Sequence, residues 1–176
     1  VTTVLGVQYD DGFIIVADSQ VTDNERPFYH SDVKKVVQVG EYTIAGAGTS
    51  AYVDVFQSDV QLPAVPESDS AGIYKFLCGT FIPELRKLHA ECGYTAKESD
   101  GFEFLIGLKK NLFYIAGDYS IIRSDMGVYG LGTGAAYAVG AYVAGATPRK
   151  AVQIATRFDV NSGGKLQIVK RGRQNA

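Results

Sequence analysis

The sequence predicts a layered domain of mixed helix and sheet, in which antiparallel sheets are covered by helices. Three observations lead there. Short apolar runs and period-2 alternation dominate the first third of the chain. Helical patterns fill the middle and the stretch after residue 134. A further hairpin pattern lies between those helical stretches, and a last strand pattern closes the chain. Strands, helices, strands, helices, strand is the order of such a layered fold. With 176 residues, 46% of them hydrophobic, residues 1–176 are expected to form a single domain. A chain of that size buries roughly two-thirds of the surface its unfolded form exposes.

In order along the chain, Thr3 to Tyr9 and Phe13 to Ala17 flank the turn residues Asp10, Asp11 and Gly12, the pattern of a β-hairpin. Lys35 to Val39 and Tyr42 to Ala45 repeat the device around Gly40. Ser50 to Gln57 reads as a helix that Pro63 and Pro66 bring to an end. Ser68 to Ser70 offer caps for a longer helix reaching about His89, which Pro83 is expected to kink or interrupt. Phe102 to Leu108 and Leu112 to Ala116 form another hairpin across Lys109, Lys110 and Asn111. Two helices follow, Ala135 to Ala144 and Arg149 to Phe158, and Lys165 to Lys170 is the last strand. The helix from Ala135 is almost wholly small and apolar, so something must cover it, its own fold or a neighbouring subunit.

Composition narrows the function. The 17 basic and 19 acidic residues nearly balance, and no stretch is rich enough in Lys and Arg to track a phosphate backbone, so nucleic acid is not expected as a partner. No apolar run approaches the ~20 residues of a membrane span, and no charged start followed by an apolar core resembles a secretory signal. Cys78 and Cys92 show neither a CxxC spacing nor a histidine at metal-ligand distance, and read as ordinary thiols of a cytoplasmic protein.

The chemistry is concentrated at the start. Thr2 carries a hydroxyl, a poor nucleophile until a base removes its proton, and a threonine at a chain terminus has that base in its own α-amine. Such an amine titrates near ~7.7 to 8.0, so a large share is neutral at cytosolic pH. A lysine nearby would lower the amine further and steady an oxyanion, and an aspartate would hold the ammonium. Asp18 and Lys35 are candidates for that pair. On the residues alone, a strand-end aspartate, a solvated lysine and a frayed terminal threonine account for the same positions.

A resemblance decides between the two. TTVLGVQYDDGFIIVADSQVT, then DVKKV, IAGAGTSA, GLGTGAAYA and RFDVNSGG resemble, in order and at near-family spacing, the catalytic β subunits of the proteasome and the HslV peptidases. These are N-terminal nucleophile hydrolases. The family's nucleophile falls on Thr2, with Thr3 as its non-catalytic neighbour, because Asp18 then lies 18 − 2 = 16 positions downstream. The second lysine of DVKKV selects Lys35 over Lys34, at the expense of one extra residue in the loop containing Pro27 and His30. The oxyanion glycine corresponds to Gly48, with Gly46 as the alternative register. Asp159, Ser162, Gly163 and Gly164 match the DxxSGG signature that orients the threonine. Thr133 replaces the family's serine between Gly132 and Gly134; its hydroxyl can make the same hydrogen bonds, although a small polar residue at the start of a helix accounts for it too. His30 has no triad partner nearby in sequence.

The resemblance implies an α+β, four-layer αββα sandwich, assembled as a homo-oligomeric ring. It implies a threonine peptidase acting on peptides or unfolded proteins through an acyl-ester on Thr2, with an ATP-dependent unfoldase as partner. The first substrate pocket would be lined by Val21, Thr22, Val33, Gly46 and Ser50, apolar and not charged. No cofactor is required for the chemistry; a structural cation is implied at main-chain carbonyls near Thr156, Asp159 and Ser162. Two other classes stay open: a catalytically silent ring subunit, and an amidase acting on small molecules. Val1 matters here. While it is attached, the nitrogen of Thr2 is an amide, and self-cleavage between Val1 and Thr2 is the expected activation step.

Overall fold

The computed structural model describes residues 2–23, 26–29, 34–93 and 101–172. The expectations for Val1, His30 and Val33 lie outside these residues. The strands in chain order are β1 (Val4–Gln8), β2 (Phe13–Ala17), β3 (Gln20–Asp23), β4 (Arg26–Tyr29), β5 (Val36–Val39), β6 (Tyr42–Gly48), β7 (Phe102–Leu108), β8 (Asn111–Ile115), β9 (Ile121–Ile122), β10 (Val128–Leu131) and β11 (Gln167–Arg171). They build a four-stranded sheet, β10-β1-β2-β11, a five-stranded sheet, β5-β6-β7-β8-β9, and the small hairpin β3-β4. Every pairing in them is antiparallel.

Alternation along each strand builds three apolar layers. In β1 and β2, Val4, Phe13, Ile15 and Ala17 face the other sheet, where they meet Ala45, Ala47, Leu105 and Leu112. Their neighbours Leu5, Val7, Ile14 and Val16 face the opposite way, onto Ala138, Ala151, Val152 and Ala155. These alanines and the valine belong to α4 (Ala135–Val143) and α5 (Pro148–Phe158). The outer face of the five-stranded sheet packs Ile44, Phe104, Ile106 and Phe113 against Tyr52, Phe56, Leu77, Phe81 and Leu85 from the helices between β6 and β7. Helices, sheet, sheet, helices is the four-layer arrangement. Strands buried on both faces read as near-continuous apolar runs, as FIIVA does, and each such side chain adds about 1.5–3 kcal/mol on burial.

The helices depart from expectation in three places. Ser50 to Gln57 is not one helix: α1 (Ala51–Asp54) gives way to a 3₁₀ turn over Val55–Gln57, which lets Phe56 bury and ends where Ser58 turns extended. The long helix is interrupted ahead of Pro83 by a change of helix type, not by a break in the chain of turns. It runs as α2 (Ser70–Phe76), a π-helical turn over Leu77–Phe81, and α3 (Ile82–Glu91), with Pro83 in the first turn of α3. Proline offers no N–H to the carbonyl four residues back, at Gly79, and its ring crowds that oxygen; widening the preceding turn accommodates both. Finally, α4 is only partly covered. It buries Ala138, while Tyr137 and Val143 remain 48% and 56% exposed.

Candidate active site

The predicted catalytic residues and the oxyanion glycine sit where elements end. Thr2 precedes β1, Asp18 follows β2, Lys35 precedes β5, and Gly48 is the last residue of β6. Thr133 lies in the turn between β10 and α4, Asp159 caps the C-terminus of α5, and Ser162 follows in the connection to β11. Thr2, Asp18, Lys35, Asp159 and Ser162 are all buried. The fold brings them together at one edge of the two sheets, beside a cavity of about 300 Å³.

Asp18 is the most heavily bonded group. Its Oδ1 accepts the Lys35 ammonium at 2.7 Å and the Thr3 N–H at 2.9 Å. Its Oδ2 accepts the Gly163 N–H at 2.8 Å and the Gln20 N–H at 3.2 Å. A carboxylate with no exposed surface must be satisfied in this way, since an unpaired buried charge is prohibitively costly. Burial holds the Lys35 ammonium below its usual range, and the charge and hydrogen bond of Asp18, with the charge of Asp159, pull it back up. The main chain of Lys35 is held as well: the Gln167 Oε1 accepts the N–H groups of Lys35 and Val36 at 2.8 and 3.2 Å.

A chain of hydroxyls forms the second arm. Asp159 Oδ2 accepts from Thr133 Oγ at 2.7 Å and from Ser162 Oγ at 2.5 Å. Ser162 has one hydroxyl proton and gives it to the carboxylate, so Thr3 Oγ, 2.7 Å away, is the donor to Ser162 Oγ. Thr133 thus holds the Asp159 carboxylate from the turn before α4. The turn around it is tight. Gly132 has φ +80°, and a Cβ there would lie 2.1 Å from the Thr2 carbonyl oxygen, so only glycine fits. The Gly134 N–H points at that same oxygen, at 3.3 Å.

The two candidate oxyanion glycines differ in their surroundings. The Gly46 N–H is engaged by the Lys35 carbonyl at 3.1 Å. Gly48, by contrast, is exposed at the cavity, with φ +98° and no room for a Cβ against the Gly101 carbonyl. Thr2, Val21, Thr22, Lys35, Gly46, Gly48 and Ser50 all line this cavity. The expectation of an uncharged lining is not met, because Asp23, Lys34 and Asp54 border it too, with Val53 between Gly46 and Asp54. All three charged groups are at exposed positions, where water makes their presence inexpensive.

The cation expected near Thr156, Asp159 and Ser162 would rest on main-chain oxygens. Of these, the Asp159 carbonyl accepts the Ser162 N–H at 3.1 Å. Among the described residues no group of three or more His, Cys, Asp or Glu side chains could hold a metal. Two bonded residues gave no sequence signal of their own: Gln20 and Gln167 act through contacts spanning 140 and 132 residues.

Comparison with known proteins identifies the fold. A family profile described as Proteasome subunit matches residues 1–61. Eukaryotic HslV from Trypanosoma brucei superposes with a TM-score of 0.70 at 22% identity, over 97% of this chain and 99% of that one. The chain has the proteasome/HslV fold. Thiobacillus denitrificans BPH superposes on the same fold with a TM-score of 0.75 at 22% identity, over 99% of this chain and 100% of that one. BPH in complex with epoxomicin gives 0.74 at 22% identity, over 97% and 98% of the two chains. No curated protein sequence is similar enough to count as a relative. With the HslV fold, the five-stranded sheet supplies Lys35 and Gly48 to the site, and the four-stranded sheet flanks it with Thr2, Asp18 and Thr133.

Proposed function

We propose that this chain is a threonine-type peptidase subunit of a self-compartmentalising protease. The observation that carries the reading is the buried Asp18–Lys35 pair, 2.7 Å apart, whose Lys35 lines one cavity with Thr2 and Gly48. Once the Val1–Thr2 bond is cut, the α-amine of Thr2 takes the proton of its own hydroxyl, and Oγ attacks the substrate carbonyl. The Gly48 N–H receives the oxyanion. The C–N bond breaks, the proton passes from the amine to the leaving nitrogen, and an ester remains on Thr2. Water, deprotonated by the same amine, attacks that ester and frees the acid. Lys35, charged and held by Asp18, supplies positive potential at the amine and oxyanion.

Substrate preference follows from the lining. Val21, Gly46 and Val53 favour an apolar side chain, and the charged groups of the lining, Asp23 and Asp54 against Lys34 and Lys35, balance one another. Cleavage after hydrophobic residues should therefore exceed cleavage after Glu or Asp. Assembly into rings fits the uncovered apolar surface on α4 and beyond α5, where Tyr137 and Phe158 stack 5.9 Å apart and Val160 is 86% exposed. A chamber so formed admits unfolded chains only, which calls for an ATP-dependent unfoldase as partner.

The test is hydrolysis of fluorogenic peptides against small amides by the assembled protein and by Thr2→Ala, with intact-mass detection of an adduct on Thr2. Peptide turnover lost in Thr2→Ala supports the reading. Turnover that survives in Thr2→Ala, or that is confined to small amides, contradicts it.

A further inference from the structure

The face of β7 that looks into the sandwich carries one residue that does not belong in an apolar layer. Along FEFLIGL, Phe102, Phe104, Ile106 and Leu108 join the helix-side layer. Leu105 packs between the sheets, and alternation puts Glu103 on that same inner side. A carboxylate there loses hydration and needs donors in return. It has two. The Tyr114 hydroxyl, from neighbouring β8, donates to Oε1 at 3.1 Å, and the Gly132 N–H, from the facing sheet, donates to Oε2 at 3.0 Å.

Gly132 is the residue whose left-handed turn packs against the backbone of Thr2. Its successor Thr133 bonds Asp159, and Gly134 bonds the Thr2 carbonyl. On its own strand Glu103 is opposite Ala47, and Phe102 is opposite Gly48. One side chain thus connects the strand beside the oxyanion glycine to the turn that seats the nucleophile.

We propose that Glu103 is a positioning residue of this site: its carboxylate fixes the Gly132–Gly134 turn, and through it Thr2, relative to Gly48 across the two sheets. It touches neither substrate nor the reacting atoms. The consequence for turnover rests on the peptidase reading above, whereas the consequence for the turn does not. A misplacement of the order of 1 Å at reacting atoms costs roughly a hundredfold in rate. Glu103→Ala should therefore lower kcat by about ten- to a hundredfold with KM for a short peptide little changed. Glu103→Gln keeps an oxygen acceptor for the Gly132 N–H and should recover most of that loss.

The decisive experiment measures both quantities on the assembled protein: kcat and KM with a fluorogenic peptide, and amide hydrogen exchange over residues 130–136, for wild type, Glu103→Ala and Glu103→Gln. Faster exchange across the turn in the Ala variant, restored in the Gln variant together with kcat, is the expected result. Unchanged exchange in Glu103→Ala overturns the inference, as does a Gln variant as slow as the Ala variant, which would make the charge rather than the bond the operative feature. If wild type hydrolyses no peptide while exchange responds as expected, the peptidase reading fails and the role of Glu103 in holding the turn stands.

Discussion

On one side of the Thr2–Thr3 segment stands a buried charge pair, Asp18 with Lys35; on the other stands a chain of hydroxyls, Thr3 and Ser162 with Thr133 beside them, ending on Asp159. Both arms hold Thr3, and through it its neighbour Thr2, but with different physics. The first concentrates charge in a place without water, so its parts depend on one another: Asp18 compensates Lys35, and Lys35 with three N–H groups compensates Asp18. The second is a relay of short polar groups in which each hydroxyl donates one bond. Damage to the charged arm should therefore be severe and cooperative, and damage to the hydroxyl arm graded.

The sharpest way to break that contrast is in the charged arm. Lys35→Ala should reduce turnover by roughly 10²–10³-fold, and Lys34→Ala, at the exposed neighbouring position, far less; steady-state peptide hydrolysis measures both. Asp18→Asn should be comparably severe and should also destabilise by about 3–5 kcal/mol, the usual cost of stripping one partner from a buried pair, read by chemical denaturation. It has a pH signature as well. Burial already lowers the Lys35 pKa and Asp18 opposes this, so Asn allows a further fall, and the alkaline limb of the activity profile should move to lower pH. A limb that stays in place would detach Lys35 from the chemistry.

In the hydroxyl arm, Ser162→Ala removes the acceptor of Thr3 and one donor to Asp159. A loss of about 1–3 kcal/mol in stability is expected from the buried group left unsatisfied, with a smaller loss of turnover than in the charged arm. Thr133→Ala should fall below that, and Thr133→Ser should restore the bond to Asp159. If Thr133→Ala matched Lys35→Ala, the two arms would not differ as described.

The smallest effect on turnover is expected from a titrating group outside both arms. His89 is fully buried among Tyr52, Phe56, Phe102 and Phe104, and burial pushes its pKa down to about 4. The unfolded chain protonates near 6.5 and the folded one only near 4, so the stability present above pH 6.5 falls as pH drops through that window. The loss approaches about 3 kcal/mol. Denaturation midpoints from pH 7 to 4 should show that slope in wild type and a flatter one in His89→Gln, with turnover of the folded protein at pH 7 little altered.

How much of this was readable in advance depends on how local each signal is. The hairpins β1-β2, β5-β6 and β7-β8 were legible because their apolar runs flank turn residues. β4 was not, since Arg26–Tyr29 contains a proline and is exposed throughout. The family resemblance of the ADS, DVKKV, GLGTG and DVNSGG stretches marked the members of both arms. The bonds that tie the arms together were invisible, because Gly163 reaches Asp18 across 145 residues and Glu103 reaches Gly132 across 29. Glu103 carries a further lesson. A polar residue alternating with phenylalanines reads as solvent-facing, and only the presence of a second sheet turns that face inward. The charged rim of the cavity was missed for a related reason, as Asp23 and Asp54 reach it from separate elements.

The central claim is that Thr2 acts from a free α-amine, and it is tested most directly by intact-mass analysis of the N-terminus beside a peptidase assay on the same assembled particles. The account predicts that active wild-type protein begins at Thr2, with Val1 removed, and that Thr2→Ala keeps Val1 and hydrolyses nothing. Wild-type particles that are fully active while every chain retains Val1 would contradict it.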